Sequence, residues 1–326
     1  MRARYLGNAR APTYDAATYI QEDRVTKIAP FLIAASLFAS ACVTDDDVDP
    51  ATSSQSQAVG SETRPKHVHG PKGEAGKGGG GHTVAITYHG GPVMTGTPSI
   101  HYIWYGNWSG NTATTILTDL ANGIGGSTYE QINATYYNAS NQHVSGSITY
   151  GGSTNDNYSH GTSLSDAQIE QVVAATNPTD TNAIYMVLTS ADVTATSGFC
   201  TQYCGWHTDA TINGRNIKYA FIGNPDRCPS SCEDQTTSPN GNAGADGMAS
   251  IIAHESEEAI SDPDLNAWYD RSGAENADKC AWTFGTEQTA SNGSKYNLNF
   301  GGRNWLIQRN WNASTQGCQR VLGSTN

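Results

Sequence analysis

Charge is what this sequence has least of. Charged residues fill 15% of its 326 positions, and the 18 Lys and Arg are outnumbered by 30 Asp and Glu. Coiled coils and helical bundles need long charged helix faces, so the first is excluded and the second disfavoured. A nucleic-acid binder needs a basic footprint, and a net charge of −12 denies it one. Long apolar runs are scarce too: residues 28–41 form one, too short to span a bilayer. There is no internal repeat, no dinucleotide fingerprint and no Ser or Cys nucleophile motif. The glycines between Gly76 and Gly81 lack the flanking strand and helix that a phosphate-binding loop needs. What is present is small and aromatic: 35 Gly, 16 Tyr and 7 Trp. So many aromatics exclude a disordered chain and indicate a loop-rich globular protein.

The 28–41 run, preceded by Lys27, reads as the apolar core of an export signal. Cys42 follows Ala39-Ser40-Ala41, which resembles the lipid-modification site of a bacterial lipoprotein. Asp15, Glu22 and Asp23 are out of place in a signal, so the true start is expected near Val25. Residues 1–41 are thus a signal region and residues 42–81 a lipid-anchored, disordered linker. The membrane is reached only through that N-terminal anchor. Polar, Gly-rich segments bury too little apolar surface to order themselves, so His67 and His69 read as solvated linker histidines. Residues 82–326 form one globular domain. The expected location is the bacterial cell envelope, or outside the cell.

With Cys42 assigned to the anchor, Cys200, Cys204, Cys228, Cys232, Cys280 and Cys318 remain. An even number in an exported chain implies disulfides, and the pairing stays open among 15 possibilities. Cys280 and Cys318 flank an expected hairpin and are placed to staple it.

Strands are expected at His82–His89, Ser99–Tyr105, Asn182–Leu188, Ile217–Ile222 and Trp305–Gln308, with a hairpin of Ile132–Tyr137 and His143–Tyr150. Helices are expected over Thr112–Gly123, from the capping box Ser165–Gln168 to Ala175, and from Asp246 to just before Asp262-Pro263. Alternating strands and helices give an α/β fold, with α+β open: a mixed sheet, packed helices and disulfide-pinned loops.

A series of short motifs then carries a resemblance: Tyr88-His-Gly-Gly-Pro92, Ile103-Trp-Tyr-Gly106, Tyr158-Ser-His-Gly161, Cys204-Gly-Trp-His207, Phe221-Ile-Gly-Asn224 and Asn242-Ala-Gly-Ala-Asp-Gly247. In this order they resemble the EXORDIUM or phosphate-induced protein family over roughly residues 82–250. Its members are mainly plant extracellular and cell-wall proteins linked to growth. The resemblance implies export and supplies no reaction.

The residues themselves point to one. His254-Glu255-Ser-Glu-Glu258 places His254 and Glu258 four apart, on one helix face. Zinc proteases use His-Glu-x-x-His in this way, with two ligands at i and i+4 and the intervening Glu as general base. Here Glu258 replaces the second His, and a carboxylate oxygen still binds zinc at about 2.0–2.2 Å. A chance His-Glu-x-x-Glu is expected only about 0.01 times in a chain of this composition. The pattern resembles a modified zincin. The third ligand is expected from Glu275 first and Asp278 second, next to Cys280. Eight acids lie between residues 255 and 278 with Arg271 as the one base, a cluster that repels itself without a cation. The expectation is a metal-dependent peptidase or related hydrolase with zinc, or alternatively calcium, as cofactor. Its substrate is a peptide or a cell-envelope polymer. Glu255 is the catalytic base, and His207 an oxyanion stabiliser or alternative ligand. His207 also fits a plainer role as a hydrogen-bonded histidine in a disulfide loop.

Two rivals stand beside this. One is a carbohydrate-binding envelope protein that stacks sugars on Trp104, Trp108, Trp206, Trp268, Trp305 and Trp311. The other is a structural domain in which Glu258, Asp262, Asp264 and Asp270 hold calcium, without the regular loop spacing of such sites.

Overall fold

A computed structural model describes residues 66–72 and 84–324, which belong to one compact unit spanning Gly60–Asn326. The signal region, the start near Val25 and Cys42 lie outside the described residues. No helix among the described residues is long and apolar enough to cross a membrane.

In chain order the main elements are β1 (His67–His69), β2 (Thr87–Tyr88), β3 (Ser99–Tyr105), α1 (Ala113–Ile124), β4 (Thr149–Asp156), β5 (Ser163–Leu164), α2 (Asp166–Ala175), β6 (Ala183–Thr189), β7 (Thr194–Ala195), β8 (Gly205–Ile212), β9 (Arg215–Ile222), α3 (Pro229–Cys232), α4 (Ala243–Ser261) and β10 (Trp268–Tyr269). Short two-stranded ribbons fill the C-terminal quarter.

The central sheet has the order β1-β8-β9-β6-β3-β4. Strands β4, β3, β6 and β9 run parallel, while β8 is antiparallel to β9 and β1 antiparallel to β8. Parallel neighbours need a crossover: α1 lies between β3 and β4, α2 precedes β6, and β6 reaches β9 through β7 and β8. β6 is buried at every position, as a parallel strand covered on both faces must be. α1 turns Ile116, Leu117, Leu120, Ala121 and Ile124 inward, the face its helical spacing predicts. Ser165 and Gln168 close the expected capping box at the start of α2. The fold is mixed α/β.

Four expectations need correction. Residues 132–150 do not form a hairpin. Glu130–Thr135 is a 3-10 turn, Tyr137 and His143 make only an isolated bridge, and β4 pairs with β3. A local turn signal there lost to long-range parallel pairing. Of the strand at His82–His89, only Thr87–Tyr88 forms in the described part. Near Trp305 the strand is Arg303–Trp305, and the chain then leaves the ribbon to bring Gln308 to the centre of the domain. The linker is interrupted by β1, which completes the sheet: His69 pairs with Gly205 and Val68 with Trp206.

All six named tryptophans are buried, Trp108 being the most exposed at 8%. They are core, and none offers a face for stacking on a sugar.

Disulfides join Cys200 to Cys228, Cys204 to Cys232 and Cys280 to Cys318. Such bonds persist in an oxidising compartment, which places the folded chain outside the reducing cytosol. The last pair spans 38 residues and anchors the segment that carries Glu275 and Asp278. Closing a loop of that length removes about 4 kcal/mol of unfolded-chain entropy. The Cys280→Ser/Cys318→Ser double variant is therefore expected to lose about 3–4 kcal/mol of unfolding free energy in urea. A loss below about 1 kcal/mol would contradict this role for the bridge.

Candidate functional site

Helix α4 runs across β8 and β9, and every residue from Gly244 to Ser261 is buried. It begins at Asn242, whose side chain accepts the Ala245 amide proton at 3.0 Å. Asp246, expected to cap it, lies inside the helix and instead accepts from Ser238 and Asn240. Asp262 ends it, as the following Pro263 requires.

A helix buried all round is normally apolar. This one carries His254, Glu255, Glu257 and Glu258, each 0% exposed. Close approach to the sheet is made possible by Gly205. A Cβ there would stand 2.5 Å from Ile251 Cγ2 and 2.9 Å from Glu255 Oε1. His207, two residues on, shares that strand face and meets the same helix.

His254 Nε2 lies 3.0 Å from Glu258 Oε1 and 3.5 Å from Asp278 Oδ1. His207 Nε2 lies 2.8 Å from Glu275 Oε2 and 3.6 Å from Glu258 Oε2. The structure thus brings the sequence candidates together but divides them. Asp278 joins His254, whereas Glu275, the first choice for that role, joins His207. Two ligand-like groups result, His254–Glu258–Asp278 and His207–Glu255–Glu258, with donor atoms within 4.8 Å of one another in each.

The calcium set of Glu258, Asp262, Asp264 and Asp270 does not assemble. Asp262 accepts the amide protons of Asn266 and Ala267, Asp264 faces Lys218, and Asp270 pairs with Lys279 at 2.8 Å.

The loop bearing Glu275 and Asp278 is pinned to α4 through Asn276, whose amide donates to Glu257 O, Ser261 Oγ and Asn133 Oδ1. The Asp278 amide proton goes to Glu258 Oε1 at 2.9 Å.

Three further groups escaped the sequence reading. His69, placed in the linker, is 1% exposed, with its ring centroid 4.2 Å from that of His254 and 5.0 Å from Trp282. Neither of its ring nitrogens has a hydrogen-bond partner. Trp282, at φ 59°, holds a conformation that bulky residues avoid, and its indole donates to Gly70 O at 2.9 Å. The Gln308 amide contacts His254 Nδ1. The one available signal for His69 is the alternating His67-Val68-His69, too short to identify a strand by pattern alone.

Glu255 is the other anomaly, since both of its oxygens are buried without a partner. Burial pushes its carboxyl well above the usual range, against the pull of His254. Burial and the neighbouring Asp278 push Glu258 up to about 7. Burial alone would lower His254, but Glu258 and Asp278 raise it well above the usual histidine value. His69 is lowered, first by burial and then by His254. A surface cavity of about 350 Å³ lies elsewhere, beside His101, Gly151 and Tyr185, and no acid lines it.

On another side of α4, Glu130 is 0% exposed beside Glu257, and burial pushes its carboxyl up to about 7. The folded chain then binds a proton that the unfolded chain has released between the ordinary carboxylate value and about pH 7. Stability therefore falls as pH rises through that window. Glu130→Gln keeps the shape and removes the titration. Its urea midpoint is expected to fall less than that of the wild type between about pH 5 and pH 7.5; parallel curves would contradict this.

Residues 86–321 match the family described as "Phosphate-induced protein 1 conserved region". Protein EXORDIUM-like 3 of Arabidopsis thaliana is 32% identical over 280 residues, covering 72% of this chain and 82% of the relative. Protein EXORDIUM-like 5 of the same plant is 32% identical over 282 residues, covering 72% and 77%. Protein PHOSPHATE-INDUCED 1 of Nicotiana tabacum is 30% identical over 213 residues, covering 56% and 67%. No solved structure matches the chain. By the length and identity of these matches, the chain belongs to the EXORDIUM/phosphate-induced protein family.

Proposed function

We propose that the protein is an exported hydrolase that uses a divalent metal, zinc in the first instance, to cleave peptide bonds, held at the cell envelope by a lipid on Cys42. The observation that carries this reading is the buried cluster on α4. His254, Glu258 and Asp278 converge on one point, and Glu255 beside them has no partner for either oxygen. Unpaired buried carboxylates are costly, and a cation among them removes the cost.

The donors fit zinc. Atoms bound tetrahedrally at about 2.0–2.2 Å from an ion lie about 3.3–3.6 Å apart. The His254–Glu258 and His254–Asp278 separations of 3.0 and 3.5 Å are close to this. Ligation through Nε2 requires the proton on His254 Nδ1, so the Gln308 amide must turn its oxygen toward that atom. His69, its ring packed on that of His254 at 4.2 Å between centroids but outside the three-donor group, would supply a fourth donor by turning a ring nitrogen toward the ion. A site with four protein donors is closed, and hydrolysis needs one place for water. His69 rides on a three-residue edge strand and is the donor that gives way. The approach is on the side of Asp278, whose side chain is 22% exposed.

The ion would polarise a substrate carbonyl and acidify water. Glu255 takes one proton from the attacking water as its oxygen bonds to the carbonyl carbon. It then delivers that proton to the leaving nitrogen as the C–N bond breaks. The second proton of the water also ends on the amine, so the products are a carboxylate and an ammonium group.

Peptidase assays on wild type and two variants test this. Glu255→Gln is expected to keep its metal and lose at least about 100-fold in turnover. His69→Ala is expected to keep or raise turnover while binding metal more weakly. Unchanged turnover in Glu255→Gln, or in wild type stripped by chelator, would sink the reading.

A further inference from the structure

Glu258 belongs to both ligand-like groups, and its two oxygens face different histidines. Oε1 lies 3.0 Å from His254 Nε2, and Oε2 lies 3.6 Å from His207 Nε2. Oε2 is buried and accepts no hydrogen bond. Around the first oxygen stand His254 and Asp278, with the His69 ring packed against that of His254 at 4.2 Å between centroids. Beside the second, His207 and Glu255 bring donor atoms within 4.8 Å of Glu258, and Glu275 Oε2 lies 2.8 Å from His207 Nε2. Each set therefore holds at least one imidazole and one carboxylate besides the shared Glu258. They come from separate parts of the fold: α4, the edge strand β1 and its neighbour β8, and the loop after β10.

We infer that this site holds two divalent cations bridged by the Glu258 carboxylate, the first on His254, Asp278 and His69, the second on His207 and Glu275. The inference rests on the metal reading above and extends it. Three observations support it.

The geometry is the first. A carboxylate whose two oxygens point to separate donor sets is the arrangement that bridges ions about 3.5–4 Å apart.

The second is charge. Glu255, Glu258 and Glu275, all 0% exposed, and Asp278, 22% exposed at its side chain, would carry four negative charges when fully ligating cations. One divalent ion leaves two of them uncompensated, whereas two ions balance all four.

The third is the placement of Glu255. It is buried against the second set, with both oxygens free of hydrogen bonds. There it can accept the proton of a water held between two ions while Glu258 and the histidines stay in place. All donors are nitrogen or oxygen, which suits zinc, manganese or iron and not the soft ions that thiolates select.

The test is a count. The exported chain is dialysed against excess zinc, freed of unbound metal and measured by inductively coupled plasma mass spectrometry. Two zinc ions per chain are expected in wild type, and one per chain in His207→Ala and in His254→Ala. One ion in wild type, unchanged by His207→Ala, would overturn the second position and leave the single-metal reading intact. No zinc in wild type would overturn both. Because a histidine variant can fail to fold, wild-type protein loaded with manganese supplies a second readout. Spin-coupled electron paramagnetic resonance signals are expected from ions this close, and a purely uncoupled spectrum would contradict the pair.

Discussion

The structure depends on one constraint: α4 is buried on every side and still carries three glutamates and a histidine in two turns. Ionised groups in such a place must be paired, protonated or held to a cation. The surrounding architecture addresses that demand. Gly205 lets the helix approach the sheet, the Asn276 loop and the Cys280–Cys318 bridge fix Glu275 and Asp278 beneath it, and β1 covers it with His69. Without a cation, burial drives the acids to hold protons. The raised carboxyls of Glu255 and Glu258 are the electrostatic sign of that frustration.

Stability and function make opposite demands on the same helix. The apolar residues Ile251, Ile252 and Ile260 pack it into the core, while its acids oppose the burial. Buried ion clusters are weak contributors to stability, and their retention calls for another explanation. Chemistry at the cluster is such an explanation, and the short edge strand that covers it is the element least costly to displace.

Much of the scaffold was legible from local pattern. The capping box at Ser165–Gln168, the helical spacing of Ile116, Leu117 and Leu120, and the apolar run of β6 each point to one structure, because neighbouring residues dictate it. The His254–Glu258 pair was legible for the same reason. What sequence could not reach was decided by distant partners. β4 took the partner β3 across a crossover, not a hairpin neighbour. Glu275 and Asp278, three residues apart, went to different histidines. His69 lies 185 residues from His254 in a polar, Gly-rich stretch, and only the pairing of β1 with β8 reveals that it is buried. Asn242 displaced Asp246 as the cap because Ser238 and Asn240 claimed the aspartate.

The central claim is that the acidic face of α4 is built around a cation. The most direct measurement is a crystal of the zinc-soaked protein with data collected on both sides of the zinc absorption edge. The account predicts an anomalous peak between His254 Nε2, Glu258 Oε1 and Asp278 Oδ1. A map without density there, and with the carboxyls hydrogen-bonded to one another as protonated acids, would contradict it.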